Sequence, residues 1–209
     1  MYNLLRYMRV VILFFYYLII IFSTTSSQTT DLKFNNLTIE DGLSQSVVTD
    51  IIQDSKGFIW LATQDGLNRY DGYEFKVIKN DPGDSTSLPH NYVNYLFEDS
   101  KENLWVCTNG GGLCLYDKFS ESFLSFEHDP SASTSISDNY IMCINEDSKG
   151  NLWIGTYRGG LSKLIVKDTN LTSPKDVSFQ NYYHDPSDAA SLSDNRIYTI
   201  GKDYLGNLW

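Results

Sequence analysis

Short apolar runs separated by polar turns recur along this chain in a constant order. Each repeat of this order contains one tryptophan, which lies six residues after an aspartate. An aliphatic residue lies eleven residues before that aspartate. The tryptophans are Trp60, Trp105, Trp153 and Trp209; the aspartates are Asp54, Asp99, Asp147 and Asp203; the aliphatic residues are Leu43, Leu88, Ile136 and Leu192. The intervals between tryptophans, 45, 48 and 56 residues, are typical of a propeller or another repeat array.

One repeat predicts four short strands. In the first repeat the strands cover residues 47–53, residues 58–63, a stretch that begins at Gly66, and residues 75–78. The turn at residues 54–57 reads Asp-Ser-Lys-Gly. An aspartate there bonds the backbone, and a glycine accepts the left-handed conformation that ends such a turn. The pattern therefore predicts an all-β propeller of three four-stranded blades and the start of a fourth.

Three details of the repeats predict local geometry. Aliphatic residues three positions apart on a first strand, such as Val93 and Leu96, lie on opposite faces of a flat strand, so both faces must be covered. Glu102 replaces the turn glycine in the second repeat, and we expect Asn103 to take the left-handed conformation there. The third repeat is longer, and its polar residues 167–176 predict a loop insertion.

The first 27 residues have a different pattern. Arg6 and Arg9 precede an unbroken apolar run at residues 10–22, which is followed by small polar residues. As a helix, this run is about 20 Å long, whereas the hydrocarbon core of a bilayer is about 30 Å thick. A cleaved signal peptide is therefore favoured. The alternative is an uncleaved signal anchor that extends back to Leu4.

The charge composition argues against proteins that bind nucleic acids or anionic lipids. The chain carries 16 Lys and Arg against 26 Asp and Glu, a net charge of −10. Without a basic run it lacks the electrostatic footprint of a nucleic-acid or anionic-lipid binder. We therefore expect no nucleic-acid contact, and membrane contact only through the N-terminal segment or through domains beyond this chain.

The repeated side chains favour structural roles, because a packing residue is needed in every blade. We expect the tryptophans to pack between blades, with sugar stacking by an exposed indole as the alternative. Turn formation is favoured over calcium binding for Asp54, Asp99 and Asp147, because Ser-Lys follows each of them and no further carboxylates stand at alternating positions. His128 and His184 precede Asp-Pro pairs, where the first repeat has Asn80, so a connector role is expected.

The three cysteines, Cys107, Cys114 and Cys143, form no C-x-x-C or zinc-type pattern. Cys107 stands where other repeats have Ala62 and Gly155, which predicts a small buried residue. A bridge between Cys107 and Cys114 in an oxidising compartment stays open as the alternative.

The sequence assigns no catalytic, cofactor-binding or metal-binding residue. It contains no G-x-S-x-G, H-E-x-x-H or phosphate-loop motif, and no cofactor is predicted. Whether the protein is an enzyme is left open. The glycine-rich turns at residues 109–112 and 157–160 are candidate ligand loops, but they are equally compatible with plain turns.

Three strings carry a resemblance to a known family: GLSQSVVTDIIQDSKGFIWLATQDGLNRYDG, SLPHNYVNYLFEDSKENLWVCTNGGGLCLYD and SISDNYIMCINEDSKGNLWIGTYRGGLSKL. They resemble the two-component regulator propeller repeat. The opening motif F-x-x-L-T-x-E-D-G-L-S, from Phe34 to Ser44, resembles the start of the sensor region of bacterial hybrid two-component histidine kinases. The resemblance implies an exported, periplasmic sensor region, an inner-membrane location for the full-length protein, an oligosaccharide or other small extracellular ligand, and a homodimer in the full-length protein.

The predicted organisation follows the repeats. It consists of a signal peptide or anchor at 1–27, a lead-in at 28–42, blades at 43–87, 88–135 and 136–191, and a partial fourth blade at 192–209. Three blades do not close a ring. We therefore expect this chain to be the N-terminal part of a longer protein, and to fold partly or dissolve poorly alone.

The favoured function is ligand sensing by a two-component sensor kinase that detects sugars derived from polysaccharides. The first alternative is a secreted propeller lyase or hydrolase, which requires clustered carboxylates or histidines on one face. The second is a scaffold propeller that binds protein without signalling.

Overall fold

The computed structural model describes residues 33–167 and 171–209, together with Met8, Ile12, Phe14, Tyr16 and Tyr17. The chain divides into two compact units, Met1–Asn36 and Leu37–Trp209. The five described residues of the N-terminal segment are helical. Otherwise the predicted signal segment lies outside the described residues, so it stays a prediction. None of the described helical residues belongs to a helix long and apolar enough to span a membrane.

The second unit is built from three antiparallel four-stranded sheets, in each of which the strand order follows the chain. Blade 1 contains β1 Val48–Gln53, β2 Ile59–Thr63, β3 Gly66–Tyr70 and β4 Phe75–Ile78. Blade 2 contains β5 Val93–Glu98, β6 Leu104–Thr108, β7 Leu113–Asp117 and β8 Ser122–Phe126. Blade 3 contains β9 Ile141–Glu146, β10 Leu152–Thr156, β11 Leu161–Val166 and β12 Val177–Tyr182. The predicted all-β propeller architecture is confirmed.

Short helices and bridges complete this unit. The 3-10 helices Ile39–Asp41 and Pro174–Asp176 each begin with a capping box. The second of them lies in the predicted insertion of blade 3. A hydrogen bond from Lys167 N–H to Asp176 O, 2.7 Å long, closes this insertion. Within residues 192–209, Lys202 and Leu208 form an isolated antiparallel bridge.

The first strand of every blade is bulged. The register shifts between Val93 and Tyr95 in β5, and the same irregularity occurs in β1 and β9. The extra residue places Val93 and Leu96 on one face, where both are buried in the core shared with blade 1. Our expectation that they point to opposite faces is therefore wrong, because it assumed a regular pleat.

Blade 1 packs on blade 2 around Trp60. Trp60 is 1% exposed, and its ring meets Tyr116 edge-on with centroids 5.1 Å apart. Leu88, Val93 and Leu96 of blade 2 are buried in the same core. Trp60 therefore has the packing role predicted for it.

Blade 2 packs on blade 3 around Trp105 in the same way. Trp105 is 1% exposed and shares a core with Ile144, Ile154 and Phe179 of blade 3. By contrast, Trp153 is half-buried and Trp209 is 81% exposed. The packing prediction is therefore confirmed for the first two blades and wrong for Trp209.

Hydrogen bonds at the first turns join neighbouring blades. Ser55 donates its N–H and hydroxyl to the Glu98 carboxylate at 2.7 and 3.0 Å. Ser100 binds Glu146 in the same way, at 2.9 and 2.6 Å. The residue at the glutamate's repeat position in the next segment is Lys202, which has no carboxylate to accept such bonds.

The three cysteines are free and buried. Cys107 belongs to the core between blades 2 and 3, whereas Cys114 belongs to the core between blades 1 and 2. Side chains on opposite faces of one sheet cannot be bridged, so the geometry excludes the alternative disulfide. Burial raises the pKa of Cys107 well above its usual range and that of Cys114 to about 12.

Candidate functional site

The repeated aspartate and tryptophan form one hydrogen-bonded unit at the first turn of each blade. In blade 1, Asp54 Oδ1 accepts the backbone N–H groups of Lys56 (2.9 Å) and Phe58 (3.0 Å). Asp54 Oδ2 accepts the indole N–H of Trp60 at 2.8 Å. The same indole–carboxylate bond recurs at 2.9, 3.0 and 3.0 Å in the following three repeats. The six-residue spacing therefore reflects this bond.

The geometry favours the turn role over calcium binding for these aspartates. Both oxygens of each carboxylate already accept protein N–H groups, and a calcium ion requires free oxygen ligands. Among the described residues, no group of three or more His, Cys, Asp or Glu side chains is placed to hold a metal ion.

The same bonds lower the pKa of two of these aspartates. The indole N–H of Trp209 is the largest cause that lowers the pKa of Asp203 to about 2. Burial raises the pKa of Asp147, but bonds from Trp153 and the neighbouring amides outweigh burial and hold that pKa well below its usual value. A lowered carboxylate pKa contributes stability that is complete above the unfolded value near 4 and is lost as pH falls through the folded value. These turns therefore weaken only in acid, below about pH 4.

The two repeated histidines lie in the connectors between blades, as their position predicts. His128 Nδ1 lies 2.7 Å from Ile136 O, and His184 Nδ1 lies 2.6 Å from Leu192 O. Asn80 occupies the equivalent position in the first repeat and donates Nδ2–H to Leu88 O at 2.8 Å. Because a carbonyl only accepts, Nδ1 carries the proton in both histidines. These side chains therefore brace the connectors between blades.

One cavity, of about 370 Å³, lies beside Trp153 between blade 3 and residues 192–209. Its lining includes Asp147, Lys163, Gly206 and Leu208. At the other two interfaces the equivalent space beside the indole is filled by apolar side chains of the following blade. This cavity is therefore a gap in blade packing rather than a built site.

The second cavity, about 300 Å³, is a cleft between blades 2 and 3 at the opposite end of the sheets from the Asp–Trp units. Blade 2 contributes residues around the start of β5 and the end of β6, and blade 3 contributes residues around the start of β9 and the end of β10. The lining residues are Tyr92, Asn94, Asn109, Tyr140, Met142, Tyr157 and Arg158. We call this cavity the 2–3 cleft.

Backbone bonds hold the walls of the 2–3 cleft in place. Asn109 N–H donates to Tyr92 O, and Tyr157 N–H donates to Tyr140 O, both at 2.9 Å. Asn94 Nδ2–H crosses between the blades to Ile141 O at 2.8 Å. The cleft is therefore formed by fixed loops on packed sheets, as ligand sites usually are.

Several residues of the 2–3 cleft differ between repeats, unlike the Asp–Trp units, although Tyr92 and Tyr140 stand at equivalent positions. The position of Tyr157 holds Gln64 in blade 1 and Asn109 in blade 2. The position of Met142 holds Thr49 and Asn94. Thr49 and Asn94 each bond the backbone of the next blade, whereas the position of Tyr157 carries a different side chain in each blade and is available for a specific contact.

Sequence reasoning found part of this site. The candidate loops at 109–112 and 157–160 supply Asn109, Tyr157 and Arg158. Tyr92, Asn94, Tyr140 and Met142 were missed, because nothing in the chain showed that the starts of β5 and β9 face those loops. The signal that could have found them is the variation between repeats around the start of each first strand.

Comparisons with known proteins agree with this architecture. The family model for the two-component regulator propeller matches residues 42–65, 87–110 and 135–158. Over 61 residues, 29% of this chain and 4% of the relative, the chain is 51% identical to histidine kinase P4 of Formosa agariphila.

Two solved structures from B. thetaiotaomicron have the same fold. Both are extracellular domains of proteins described as hybrid two-component systems. One is 27% identical with a TM-score of 0.70, over 83% of this chain and 23% of that chain. The other is 29% identical with a TM-score of 0.63, over 85% and 24%. This chain thus spans about a quarter of those structures and a small part of the kinase. Three segments of this chain are thus two-component regulator propeller repeats, and the solved structures that the chain resembles at 27–29% identity are extracellular domains of hybrid two-component systems.

Proposed function

We propose that this chain is the ligand-sensing propeller segment of a two-component sensor kinase, and that it binds a polysaccharide-derived sugar in the 2–3 cleft. The observation that carries the proposal is the composition of that cleft. Three tyrosine rings and two side-chain amides converge there on fixed walls. Aromatic faces pack on the C–H faces of sugars, while amides and hydroxyls pair with sugar hydroxyls.

The size of the cleft fits a small saccharide. Ligand pockets usually have volumes of about 300 to 1,000 Å³, and the 2–3 cleft, at about 300 Å³, holds one or two sugar units. A ligand there contacts two blades at once. Its binding energy therefore favours one relative arrangement of blades 2 and 3 over others.

Signalling follows from this difference in affinity. In the proposed full-length protein, exported to the periplasm and held in the inner membrane, the favoured blade arrangement biases a homodimer and thereby the kinase on the other side of the membrane. The supporting evidence is the match of three repeats to the two-component regulator propeller model and the likeness to extracellular domains of hybrid two-component systems. This transmembrane step rests on that likeness alone.

The chemistry of the cleft favours binding over catalysis. Its lining contributes no carboxylate and no imidazole, which a lyase or hydrolase needs for general acid–base chemistry. A sugar held there has hydrogen-bond partners but no group placed to cleave it.

The test is binding of the purified full chain to a panel of neutral and acidic plant and animal oligosaccharides, measured by isothermal titration calorimetry. We expect binding, and we expect Tyr140→Ala to weaken it roughly tenfold through lost stacking. The matched control is Tyr73→Ala. Tyr73 is 94% exposed on the β3–β4 turn of blade 1, so its loss should leave affinity unchanged. Absence of binding to any oligosaccharide, or equal weakening by both variants, would contradict the proposal.

A further inference from the structure

Two arginines at this end of the blades differ in whether their charge is paired. Arg196 donates Nε–H and Nη2–H to the Asp194 carboxylate at 3.0 and 2.8 Å. The guanidinium of Arg158 forms no ion pair within the described residues. Arg158 therefore keeps its whole donor edge for a ligand, whereas Arg196 does not.

The loop that carries Arg158 is held from the backbone side. Asp138 Oδ2 accepts Arg158 N–H at 3.0 Å, and Asp138 Oδ1 accepts Tyr140 N–H at 3.2 Å. The carboxylate of Asp138 thus ties together two residues of the cleft without pairing with the guanidinium. The guanidinium carbon of Arg158 lies 5.4 Å from the centroid of the Tyr157 ring. This cation–π contact favours a guanidinium position beside the aromatic wall.

The charge of Arg158 is unusual for its surroundings. The chain has a net charge of −10, and Arg158 is the one charged side chain among the described residues that line the 2–3 cleft. A neutral sugar needs only hydrogen bonds, which the tyrosines and amides supply. An unpaired guanidinium adds a planar, bidentate donor pair suited to an oxyanion.

We infer that the sugar bound in the 2–3 cleft is anionic, and that Arg158 holds its carboxylate or sulfate group while the tyrosines pack on the ring. The ligand class is thus the uronic acid or sulfated oligosaccharides. This inference rests on the proposed sugar-binding function. It assigns Arg158 as the residue that selects charged sugars over neutral ones.

The experiment compares matched oligosaccharides with the full chain and two variants. The probes are disaccharides of galactose and glucose, each in a neutral form, a form oxidised to the uronic acid, and a sulfated form. Titration calorimetry is run at low and high salt on protein whose near-ultraviolet circular dichroism shows packed tryptophans. We expect an acidic form to bind about ten- to a hundredfold more tightly than its neutral counterpart. This preference should shrink as salt rises, and the preferred form distinguishes carboxylate from sulfate.

Arg158→Gln should abolish that preference by weakening the binding of the acidic forms. Arg196→Gln is the matched control, because it removes one exposed positive charge from the same end of the blades but one that is already paired. It should retain the preference. Equal loss in both variants, or tighter binding of the neutral forms, would overturn the assignment of Arg158 and leave the sugar-binding proposal standing. Failure of every probe to bind would overturn both.

Discussion

The two ends of the blades differ in how closely the side chains repeat from one blade to the next. At the end that carries the first turns, the same aspartate–indole bond recurs four times with lengths between 2.8 and 3.0 Å. At the opposite end, several equivalent positions hold unlike side chains, such as Asn109 and Tyr157, and residues of blades 2 and 3 enclose the 2–3 cleft. Repetition thus marks what every blade needs for folding, and departure from repetition marks what one pair of blades can do alone.

A second contrast lies within the repeated end. Trp60 and Trp105 are almost fully buried under the following blade, whereas Trp209 is 81% exposed although its bond to aspartate is the same. The turn therefore forms its own hydrogen bonds locally. Burial of the indole is added by the neighbouring blade and not by the turn.

The largest effect should come from removing a covered indole. Trp105→Ala leaves a cavity between blades 2 and 3 and deletes a buried bond to Asp99, so we expect it to lower the free energy of unfolding by about 3–5 kcal/mol. The equivalent change Trp209→Ala should cost no more than about 0.5 kcal/mol, because that side chain is already in water. Urea unfolding followed by far-ultraviolet circular dichroism measures both. Similar losses in the two variants would mean that the indole acts through the turn rather than through packing between blades.

A smaller effect should follow from changing the acceptor instead of the indole. Asp99 is buried, and its Oδ2 accepts N–H groups from Trp105 and the side chain of Asn103, both at 2.9 Å. Asp99→Asn places an NH2 group against two donors whichever way the amide is turned, since Oδ1 also accepts two backbone N–H groups. We expect a loss of about 2–3 kcal/mol in the free energy of unfolding.

Asp203→Asn is the control for that variant. Asp203 accepts the same bonds but lies at a turn where water can replace them, so its loss should stay below about 1 kcal/mol. Thermal unfolding of both variants measures the two losses of stability. If Asp203→Asn were as damaging as Asp99→Asn, burial would not be what makes the acceptor important.

Much of this architecture could be predicted from the sequence, because the same pattern of residues occurs several times along the chain. Four copies of the Asp–Trp spacing predict the strands on either side of the turn, and the structure places β1, β2 and β4 within one residue of the predicted ranges. The bulge after Val93 could not be predicted in the same way. A bulge changes the face of a side chain without changing any spacing between repeats.

The 2–3 cleft was only half predictable for a related reason. Glycine-rich turns are visible in one repeat, so Tyr157 and Arg158 could be found from the chain alone. Which residues of the neighbouring blade face them depends on how two sheets stack, and no local pattern records that. Likewise, Lys202 stands at the repeat position of Glu98 and Glu146, which accept hydrogen bonds from serines of the preceding blade. The role of those glutamates could not be predicted, because the bonds join two different blades.

Glu102 provides the smallest and most local test of the rule that repetition reflects folding. We expected Asn103 to take the left-handed conformation, but Glu102 takes it, with φ of 64°. The reason is that Asp99 binds both the backbone and the side-chain amide of Asn103 and so fixes that residue. Gly57, Gly150 and Gly206 occupy the equivalent position with φ of 92°, 80° and 84°. A residue other than glycine there is strained by about 1 kcal/mol.

Glu102→Gly should therefore raise the free energy of unfolding by about 0.5 kcal/mol, because relief of strain is partly offset by glycine's greater freedom in the unfolded chain. It also removes the exposed pair with Lys56, whose Nζ lies 3.0 Å from the carboxylate and which contributes little in water. Glu102→Gln isolates that contribution, since it deletes the charge and keeps the strained backbone. Gly150→Ala should cost about 1 kcal/mol by introducing the same strain in blade 3. If Glu102→Gly proved less stable than Glu102→Gln, the left-handed backbone at this turn would not be strained, and the glycine of the other repeats would need another explanation.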